Sequence, residues 1–311
     1  MNPVNKFVLL VEDNPGDARL MVELLIDASA GEIELHHVDR ISAALKQLSE
    51  LKFDVVLLDL SLPDGSGLET VRRMCAANPH LPIIVLTGLE DDGLSLAAVQ
   101  AGAQDYLVKG QVDGRGVVRA IRYAIERKRL EERLLYLSTH DALTNLPNRR
   151  LFQDRMALAI ERSRRNREVK NGKWVMAAML LDLDNFKSVN DTLGHAQGDL
   201  LLYAVANRLQ KSIRKSDTLA RMGGDEFSVI FENGLGQEDV EIIARKIQTV
   251  FSQPFPLANQ ILDITASIGI SLFPFDGEEA ESLLKYADIA MYIAKRARNQ
   301  VCFYRDFKDD L

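Results

Sequence analysis

The chain has 311 residues, 47% of them hydrophobic, which is enough for about two globular domains with ordinary cores. It carries 38 Lys and Arg against 45 Asp and Glu, so the net charge is −7. This acidic balance argues against non-specific nucleic-acid binding, which depends on a basic surface. The 2 cysteines are far apart, and the sequence contains no CxxC or HExxH motif. Neither a disulfide framework nor a zinc site is therefore predicted.

The sequence pattern also argues against a membrane-spanning segment and a signal peptide. No apolar run approaches the ~20 residues needed to span a bilayer. The apolar stretch near the N-terminus is interrupted by Glu12 and Asp13, which argues against a signal peptide. We therefore expect a cytoplasmic protein that does not insert into membranes and has no nucleic-acid partner.

Short apolar strands alternate with amphipathic helical stretches over residues 1–115. This alternation predicts an α/β domain built on a doubly wound, parallel, five-stranded sheet. In such sheets functional residues gather at the carboxyl ends of the strands. The predicted strands are Phe7–Val11, Ile33–Val38, Val55–Leu58, Ile83–Leu86 and Asp105–Val108.

Polar side chains follow four of these strands: Glu12 and Asp13, then Asp59, Thr87 and Lys109. A carboxylate pair at this edge can hold a divalent metal and leave Asp59 as a phosphate acceptor. Lys109 could neutralise an added phosphoryl group, and Thr87 could donate a hydrogen bond to it. Taken alone, each of these residues is a polar side chain of the kind that commonly follows a strand.

Taken together, these residues resemble the response-regulator receiver domain. The resemblance implies Mg²⁺ bound near the strand ends and phosphorylation of one aspartate by a histidine kinase or phosphotransfer protein. It assigns the metal site to Glu12, Asp13 and Asp59, the phosphoacceptor to Asp59, and the switch to Thr87, Tyr106 and Lys109.

One position departs from the receiver pattern. The family often has a proline joined by a cis peptide after the lysine, and here Gly110 follows Lys109. A cis bond before a residue other than proline costs ~2.5–4 kcal/mol, so we expect a different loop geometry with the lysine charge retained.

Residues 116–139 connect the two halves of the chain. Val117 to Leu137 contains neither Pro nor Gly, and it is predicted to form one long helix that continues the last helix of the first domain. Leu130, Leu134 and Leu137 keep a helical spacing on one face. Two interpretations remain open: a solvated spacer, and the parallel coiled-coil stalk of a homodimer.

Residues 140–311 are predicted to form an α+β, palm-like domain with helices on one face of a mostly antiparallel sheet. The predicted strands are Trp174–Leu181, Thr218–Met222, Phe227–Phe231, Ile261–Leu272 and Val301–Tyr304. The first predicted helix begins after Pro147 and runs to about Arg165. The other predicted helices are Asp199–Ile213, Glu238–Phe251 and Glu279–Arg298, and Asn185–Gly198 is a polar segment.

Gly223 and Gly224 lie between two of these strands and mark a tight hairpin, because glycine tolerates positive φ. Without side chains there, the phosphates or base of a ligand can lie close to the backbone. Asp225 and Glu226 follow at once and place carboxylates beside that gap. Taken alone, this stretch is also compatible with a hairpin that has polar turn residues.

Asp182 and Asp184 follow the predicted buried strand, and the alternation of a strand points both to one face. Carboxylates at a strand end together with a hairpin carboxylate suit Mg²⁺, which takes hard oxygen ligands along with substrate phosphates. A solvated strand end is the simpler interpretation of the Asp pair considered by itself.

The run Gly223–Phe227 matches the signature of the GGDEF domain, the diguanylate cyclase module. The resemblance covers roughly residues 139–305, with further matches at Asp141–Arg149, Asp182–Asp199 and Ala287–Tyr292. It implies condensation of two GTP into cyclic di-GMP with release of pyrophosphate. Each site would hold one GTP, so the resemblance also implies a homodimer.

The resemblance assigns roles to individual residues. Asp182, Asp225 and the Leu183 carbonyl would ligate Mg²⁺, and Glu226 would assist the metal or the reacting hydroxyl. The substrate-binding residues would be Asn190 and Asp199 at the guanine, Lys187, Lys295 and Arg298 at the phosphates, and Gly223 and Gly224 at the hairpin.

Two further segments carry basic residues that have more than one interpretation. The family commonly reads Ala-Lys-x-x-Gly-Arg-Asn, whereas Ala294–Asn299 is one residue shorter and lacks the Gly, so Arg296 is an alternative to Arg298. Arg214 and Asp217 form an RxxD pattern that resembles the product-inhibition site of the family. The alternative is a basic helix end followed by a turn.

The sequence as a whole predicts a response regulator whose output is phosphorylation-controlled diguanylate cyclase activity. Two alternatives stay open. One is a module that binds GTP or cyclic di-GMP without turnover. The other is a scaffold that relays phosphorylation through protein contacts alone.

Overall fold

The computed structural model of the chain describes residues 6–88, 92–169, 175–235, 237–257 and 260–307. The chain divides into two compact units, Met1–Leu135 and Tyr136–Leu311. Within the described ranges, no helix combines the length and the apolar character that crossing a lipid bilayer would require.

The N-terminal unit contains a five-stranded parallel sheet with the strand order β2-β1-β3-β6-β7, which confirms the predicted doubly wound fold. The strands are β1 (Lys6–Val11), β2 (Ile33–Val38), β3 (Val55–Asp59), the two-residue β4 (Ser61–Leu62) and β5 (Gly65–Ser66), β6 (Ile83–Thr87) and β7 (Asp105–Val108). The helices are α1 (Pro15–Ser29), α2 (Ile41–Glu50), α3 (Gly67–Ala77), α4 (Asp92–Gln100) and α5 (Gly114–Thr139).

Strands β1, β3 and β6 are buried on both faces because helices cover both sides of the sheet. Alternate side chains point to opposite faces, so Leu9 and Val56 pack with α2 and α3 on one side. Leu10 and Leu57 pack with α1 and α5 on the other side. The parallel strands all end at one edge, and this brings their polar following residues together.

Helix α5 is a continuous helix of 26 residues and confirms the predicted long connecting helix. Its first half packs on the sheet through Val117 and Ile121, which are almost fully buried. Farther along, Leu130 and Leu134 are 61% and 68% exposed. The second half of the helical stripe is therefore largely exposed in the single chain.

The C-terminal unit is built on a mixed five-stranded sheet with the order β14-β13-β8-β10-β9, in which only β13 and β14 run parallel. The strands are β8 (Val175–Leu183), β9 (Thr218–Gly223), β10 (Glu226–Leu235), β11 (Phe255–Leu257), β12 (Gln260–Leu262), β13 (Ala266–Phe273) and β14 (Val301–Phe303). The helices are α6 (Arg149–Val169), α7 (Phe186–Leu193), α8 (His195–Ser212), α9 (Gln237–Thr249) and α10 (Ala280–Ala297).

Helices cover both faces of this sheet, so the expectation of helices on one face was wrong. Ala177 and Met179 of β8 pack with α8 and α9, whereas Met176 and Ala178 pack with α6 and α10. Both alternating sets of β8 side chains are apolar, which is the pattern of a strand buried on two sides.

Two other boundaries differ from the prediction, and a third is not described. The polar segment Asn185–Gly198 is helical over α7 and the start of α8, and Gly194 separates the two helices with a φ of 84°. The long predicted strand Ile261–Leu272 is two strands, because β12 forms a separate hairpin with β11. Trp174, the predicted start of β8, lies outside the described residues.

Candidate functional sites

The carboxyl edge of the N-terminal sheet brings three acidic side chains together. The carboxylate oxygens of Glu12, Asp13 and Asp59 lie within 4.8 Å of one another. Glu12 and Asp59 are buried and Asp13 is exposed. Hard oxygen donors in this arrangement can hold a divalent cation such as Mg²⁺.

Lys109 is the cation of this edge. Its Nζ lies 2.6 Å from Glu12 Oε2 and 2.8 Å from Asp17 Oδ2, and it also donates to Asp59 Oδ2. Burial lowers the pKa of Lys109, but the hydrogen bonds to Asp17, Asp59 and Glu12 outweigh burial and raise the pKa above its usual value. Burial raises the pKa of the Glu12 carboxyl, and the bond from Lys109 offsets only part of that rise. Lys109 therefore stays charged.

Asp17 was missed by the sequence reasoning. It lies in the first turn of α1, where Asn14 caps the helix by accepting hydrogen bonds from Gly16 N and Asp17 N, and Pro15 begins the helix. The cap fixes the start of α1 next to the ends of β1 and β7. Counting residues from the N-cap Asn14 would have placed Asp17 in the first turn of the helix. No sequence pattern links Asp17 to Lys109.

The predicted switch residues lie at the same edge with different exposures. Thr87 is buried, and its Oγ1 has no hydrogen-bond partner among the described residues. Tyr106 is 38% exposed. Gly110 has a φ of 79°, a conformation that favours glycine, at the position where the loop geometry was expected to differ.

In the C-terminal unit, the hairpin of β9 and β10 places its carboxylates beside the end of β8. Glu226 is the register partner of Asp182, and Asp225 O accepts a hydrogen bond from Leu183 N at 3.4 Å. Gly223 and Gly224 have φ values of 142° and 52°, and open space surrounds both Cβ positions. The predicted hairpin is confirmed, and Asp182 lies within β8 rather than after it.

Asp182 is almost fully buried, at 5% exposure. Burial raises the pKa of Asp182 to about 6, and the nearby charges of Asp225 and Glu226 add to the rise. Lys295 Nζ lies 2.8 Å from Asp182 Oδ2 and opposes this shift. Burial lowers the pKa of Lys295, yet its hydrogen bond to Asp182 raises it overall. The site holds more negative charge than one lysine neutralises, which suits a divalent cation.

Asp184 has a different task from Asp182, although both point to one face of β8. Its Oδ2 accepts hydrogen bonds from Thr265 Oγ1 at 2.5 Å and from Asn299 N at 2.9 Å. Its Oδ1 accepts one from Ser267 Oγ at 2.7 Å. These bonds join the end of β8, the start of β13 and the turn after α10. Asp184 therefore has a scaffold role, because it stabilises the packing of these three elements.

An ion pair missed by the sequence reasoning holds the hairpin tip. Arg221 donates to Asp141 Oδ1 at 2.9 Å and to Gly224 O at 2.7 Å. The two side chains are largely buried. Burial raises the pKa of Asp141, but hydrogen bonds from Thr144 and then from Arg221 outweigh burial and lower the pKa overall. Both residues lie in or beside the matched motifs, which was the available signal.

Helices α7 and α8 carry the predicted guanine-binding and phosphate-binding residues. Lys187 and Asp199 are exposed and Asn190 is half-buried. Asn190 Oδ1 is buried without a hydrogen-bond partner in the described part of the chain. It packs on Gly198, where an added Cβ would lie only 1.9 Å from Oδ1. Gly198, which precedes Asp199 on α8, therefore leaves the space that the Asn190 side chain occupies.

Arg298 does not lie on α10, so the predicted helix end was wrong. The helix ends at Ala297, and Arg298 has φ 59° and ψ 160°, a region that is essentially limited to glycine. Asn299 also has positive φ, at 47°. The shortened segment places Arg298 at a turn that favours glycine, at a cost of about 1–3 kcal/mol. Arg296 remains on the helix and lies over the Tyr292 ring at 5.4 Å.

The RxxD pair closes a turn after α8. Asp217 is buried, and its Oδ2 accepts a hydrogen bond from Arg214 N at 3.1 Å. Burial raises the pKa of the Asp217 carboxyl, and the backbone hydrogen bonds oppose that rise. The Arg214 side chain is exposed. The structure thus gives Asp217 a structural bond and leaves the guanidinium of Arg214 at the surface.

Each of the two units matches a known protein family. The family model described as "Diguanylate cyclase, GGDEF domain" matches residues 138–300, and the model described as "Response regulator receiver domain" matches residues 8–122. The chain therefore belongs to the GGDEF family of diguanylate cyclase domains, carried behind a response-regulator receiver domain.

Individual relatives agree with this assignment. The chain is 40% identical over 199 residues to the bifunctional diguanylate cyclase/cyclic di-GMP phosphodiesterase MucR of Pseudomonas aeruginosa, covering 64% of this chain and 28% of MucR. It is 29% identical over 309 residues to the response regulator PleD of Caulobacter vibrioides, covering 94% of this chain and 65% of PleD. The chain thus spans less than two thirds of either relative.

A solved structure of the GGDEF domain of TpbB (YfiN) from Pseudomonas aeruginosa is similar to the C-terminal unit. It shares 37% identity and a TM-score of 0.50, and the match covers 53% of this chain and 94% of that domain.

The contacts of Asp184 predict a structural effect of its replacement. Asp184→Asn removes charge-assisted hydrogen bonds and places an amide N–H₂ group against the Thr265, Ser267 and Asn299 donors. We expect the free energy of unfolding of the C-terminal unit to fall by about 1–3 kcal/mol. Chemical denaturation measures the change. Asp191→Asn, at an exposed position on α7, is the control and should leave stability within ~0.5 kcal/mol. Equal stability of the two variants would contradict the scaffold role.

The space at Gly198 predicts a second effect. Gly198→Ala places a methyl group against Asn190 Oδ1, so either Asn190 rotates away or α7 and α8 separate. We expect a loss of about 1–3 kcal/mol in unfolding free energy, measured by denaturation, and a displaced Asn190 in a crystal structure of the variant. Ala196→Ser, at an exposed position of the same helix turn, is the control. An unmoved Asn190 in the alanine variant would contradict the packing argument.

Proposed function

We propose that this chain is a phosphorylation-controlled diguanylate cyclase that condenses two GTP into cyclic di-GMP and pyrophosphate. The main support is the placement of three acidic residues at the hairpin and the strand that faces it. Asp182 pairs across the sheet with Glu226, and Asp225 lies in the connecting turn. The charges of Asp225 and Glu226 help to raise the pKa of Asp182, so the three groups share one electrostatic site.

The donor set of this site fits Mg²⁺. Asp182, Asp225 and the Leu183 carbonyl offer hard oxygen atoms, and the site has an excess of negative charge. Bound there, Mg²⁺ would polarise the α-phosphate of GTP and lower the pKa of the attacking 3′-hydroxyl. Glu226 is exposed at the rim and would assist the metal or that hydroxyl. Lys295 pairs with Asp182, and its ammonium would turn to the phosphates when a cation takes over that carboxylate.

Substrate recognition is assigned to α7, α8 and the end of α10. In the proposal Asn190 and Asp199 bind the guanine edge, because an Asp accepts from guanine N1–H and N2–H₂ and repels the acceptor N1 of adenine. Lys187 is exposed on α7 and would meet the phosphates. Arg298 is kept as a second phosphate ligand, with Arg296 as the alternative on the helix.

The two phosphodiester bonds require two sites, each holding one GTP, so we propose a homodimer. The exposed Leu130 and Leu134 on α5 support a stalk between the two chains. The division into a receiver at residues 1–115, a stalk at 116–139 and a cyclase domain at 140–311 belongs to the proposal. So does a cytoplasmic location, where GTP and phosphoryl donors are available.

Control is assigned to the edge of the N-terminal sheet. In the proposal a histidine kinase or phosphotransfer protein phosphorylates Asp59, and Mg²⁺ is held by Glu12, Asp13 and Asp59. Lys109 and the unpartnered hydroxyl of Thr87 would bind the phosphoryl group, and Tyr106 would respond. Phosphorylation of Asp59 would alter the dimer geometry and bring the two GTP sites together.

A second candidate is a sensor that binds GTP or cyclic di-GMP with weak turnover or none. The shortened segment after α10 favours it, because Arg298 is at a strained turn and not on the helix face that carries Lys295. This candidate shares the nucleotide site and differs only in catalysis.

The test is formation of cyclic di-GMP by the purified chain from GTP and Mg²⁺, with and without beryllium fluoride as a phosphoryl mimic. We expect product formation to rise with the mimic in the wild type. Asp225→Ala should lower the rate at least ~100-fold, since it removes a proposed metal ligand. Asp59→Asn should abolish the response to the mimic.

The outcomes separate the candidates. Binding of GTP or cyclic di-GMP without product under either condition would favour the sensor. Product formation that ignores both the mimic and Asp59→Asn would show a cyclase without phosphorylation control. Full activity in Asp225→Ala would overturn the assignment of the site.

Product inhibition at the RxxD pair is a separate part of the proposal. The exposed guanidinium of Arg214 could bind a guanine or a phosphate of cyclic di-GMP. Arg214→Ala should then raise the cyclic di-GMP concentration needed for half inhibition by about tenfold or more. Lys215→Ala, the adjacent exposed basic residue, is the charge-matched control. Unchanged inhibition in Arg214→Ala would favour the alternative of a basic helix end.

A further inference from the structure

Asp17 is the third carboxylate on Lys109, and nothing in the receiver pattern assigns it a role. Its Oδ2 lies 2.8 Å from Lys109 Nζ, comparable to the 2.6 Å from Glu12 Oε2. An ammonium group has three N–H donors, and Lys109 donates to Asp17 and Asp59 while Glu12 lies beside it as an ion-pair partner. The lysine that should bind a phosphoryl group therefore begins with two of its donors engaged.

The three carboxylates differ in what else they can bind. Glu12 and Asp59 belong, with Asp13, to the cluster whose oxygens lie within 4.8 Å of one another. Asp17 lies outside that cluster and contacts Lys109 from α1. A cation at the cluster would compete for Glu12 and Asp59, but Asp17 would keep its bond to the lysine.

The surroundings of the Asp17–Lys109 pair favour a persistent ion pair. The side chains are 42% and 23% exposed. They border a cavity of about 230 Å³ whose other lining residues are mostly apolar: Leu20, Met21, Leu24, Leu107, Val112 and Val117. Apolar walls screen charges less than open water does, so the pair is stronger here than on a fully exposed surface. The Asn14 cap and Pro15 fix the turn that carries Asp17.

We propose that Asp17 restrains Lys109 and opposes its engagement with a phosphoryl group on Asp59, which makes Asp17 a positioning residue that limits the activated state. The inference rests on the proposed phosphorylation of Asp59. Asp17 and Asp59 bind the same nitrogen, so their oxygens are close, and a phosphoryl group adds negative charge to this neighbourhood. Asp17 opposes that charge directly and also occupies one donor of the lysine.

The experiment measures beryllium fluoride affinity of the full chain by isothermal titration calorimetry at saturating Mg²⁺. Asp17→Asn should bind the mimic about three- to tenfold more tightly than the wild type, because it removes one negative charge and frees a donor of Lys109. Asp17→Glu keeps the charge and should restore an affinity close to that of the wild type. The gain in Asp17→Asn should shrink at high salt.

Glu23→Gln is the matched control, since Glu23 lies on the same helix and, in the described part of the chain, forms its ion pair with Arg19 at 2.9 Å. It removes an equal charge away from Lys109 and should leave the affinity unchanged. Circular dichroism checks that each variant keeps the wild-type fold. A merely structural role of Asp17 would lower thermal stability without tightening the binding.

Each possible result either supports or contradicts the proposed restraint. Unchanged or weaker binding by folded Asp17→Asn would overturn the restraint, and equal tightening by Glu23→Gln would reduce it to a general charge effect. A wild-type chain that does not bind the mimic would overturn the proposed phosphorylation itself, and this inference with it. Cyclase activity does not enter the measurement, so failure of the C-terminal site is distinguishable.

Discussion

The C-terminal unit depends on one constraint, which is that a strand buried on both faces ends in carboxylates. Strand β8 carries apolar side chains toward two helix layers, Asp182 lies near its end, and Asp184 follows it. A buried carboxylate must be paired or hydrogen-bonded, because an isolated charge there is costly. Asp184 meets this need with three hydrogen bonds to neighbouring elements. Asp182 meets it with one lysine, and its pKa stays raised.

The same solution appears in both units. In each, a strand end gathers carboxylates and a lysine from another element compensates part of their charge: Lys109 in the N-terminal unit and Lys295 in the C-terminal unit. In the proposed function, a cation that takes over these carboxylates would free Lys295 for phosphate oxygens. Lys109 would lose Glu12 and Asp59 to the cation but keep its bond to Asp17. This exchange would link the electrostatics of the two clusters to the proposed phosphoryl and nucleotide chemistry.

The errors of the sequence interpretation have physical causes. Asn190 and Asp199 lie on a polar stretch that looked like a loop, but Gly194 lets two short helices follow one another. Arg298 continued a helical pattern, yet the helix ends at Ala297 and Arg298 takes a positive φ that favours glycine. Asp17 and the Arg221–Asp141 pair escaped notice because contacts between residues 80 or more positions apart leave no local pattern.

The sequence by itself determined the two fold classes, the long helix and the motifs, because alternating apolar strands, helix periodicity and the Gly223–Phe227 signature are local properties of the chain. It could also predict that Asp182, Asp225 and Glu226 belong to one site. Only the tertiary structure decided which partner each charge has. Asp184 binds the scaffold, Lys295 binds Asp182, and Asp17 joins Lys109. Such pairings depend on sheet order and helix packing, which bring together residues that the sequence keeps far apart.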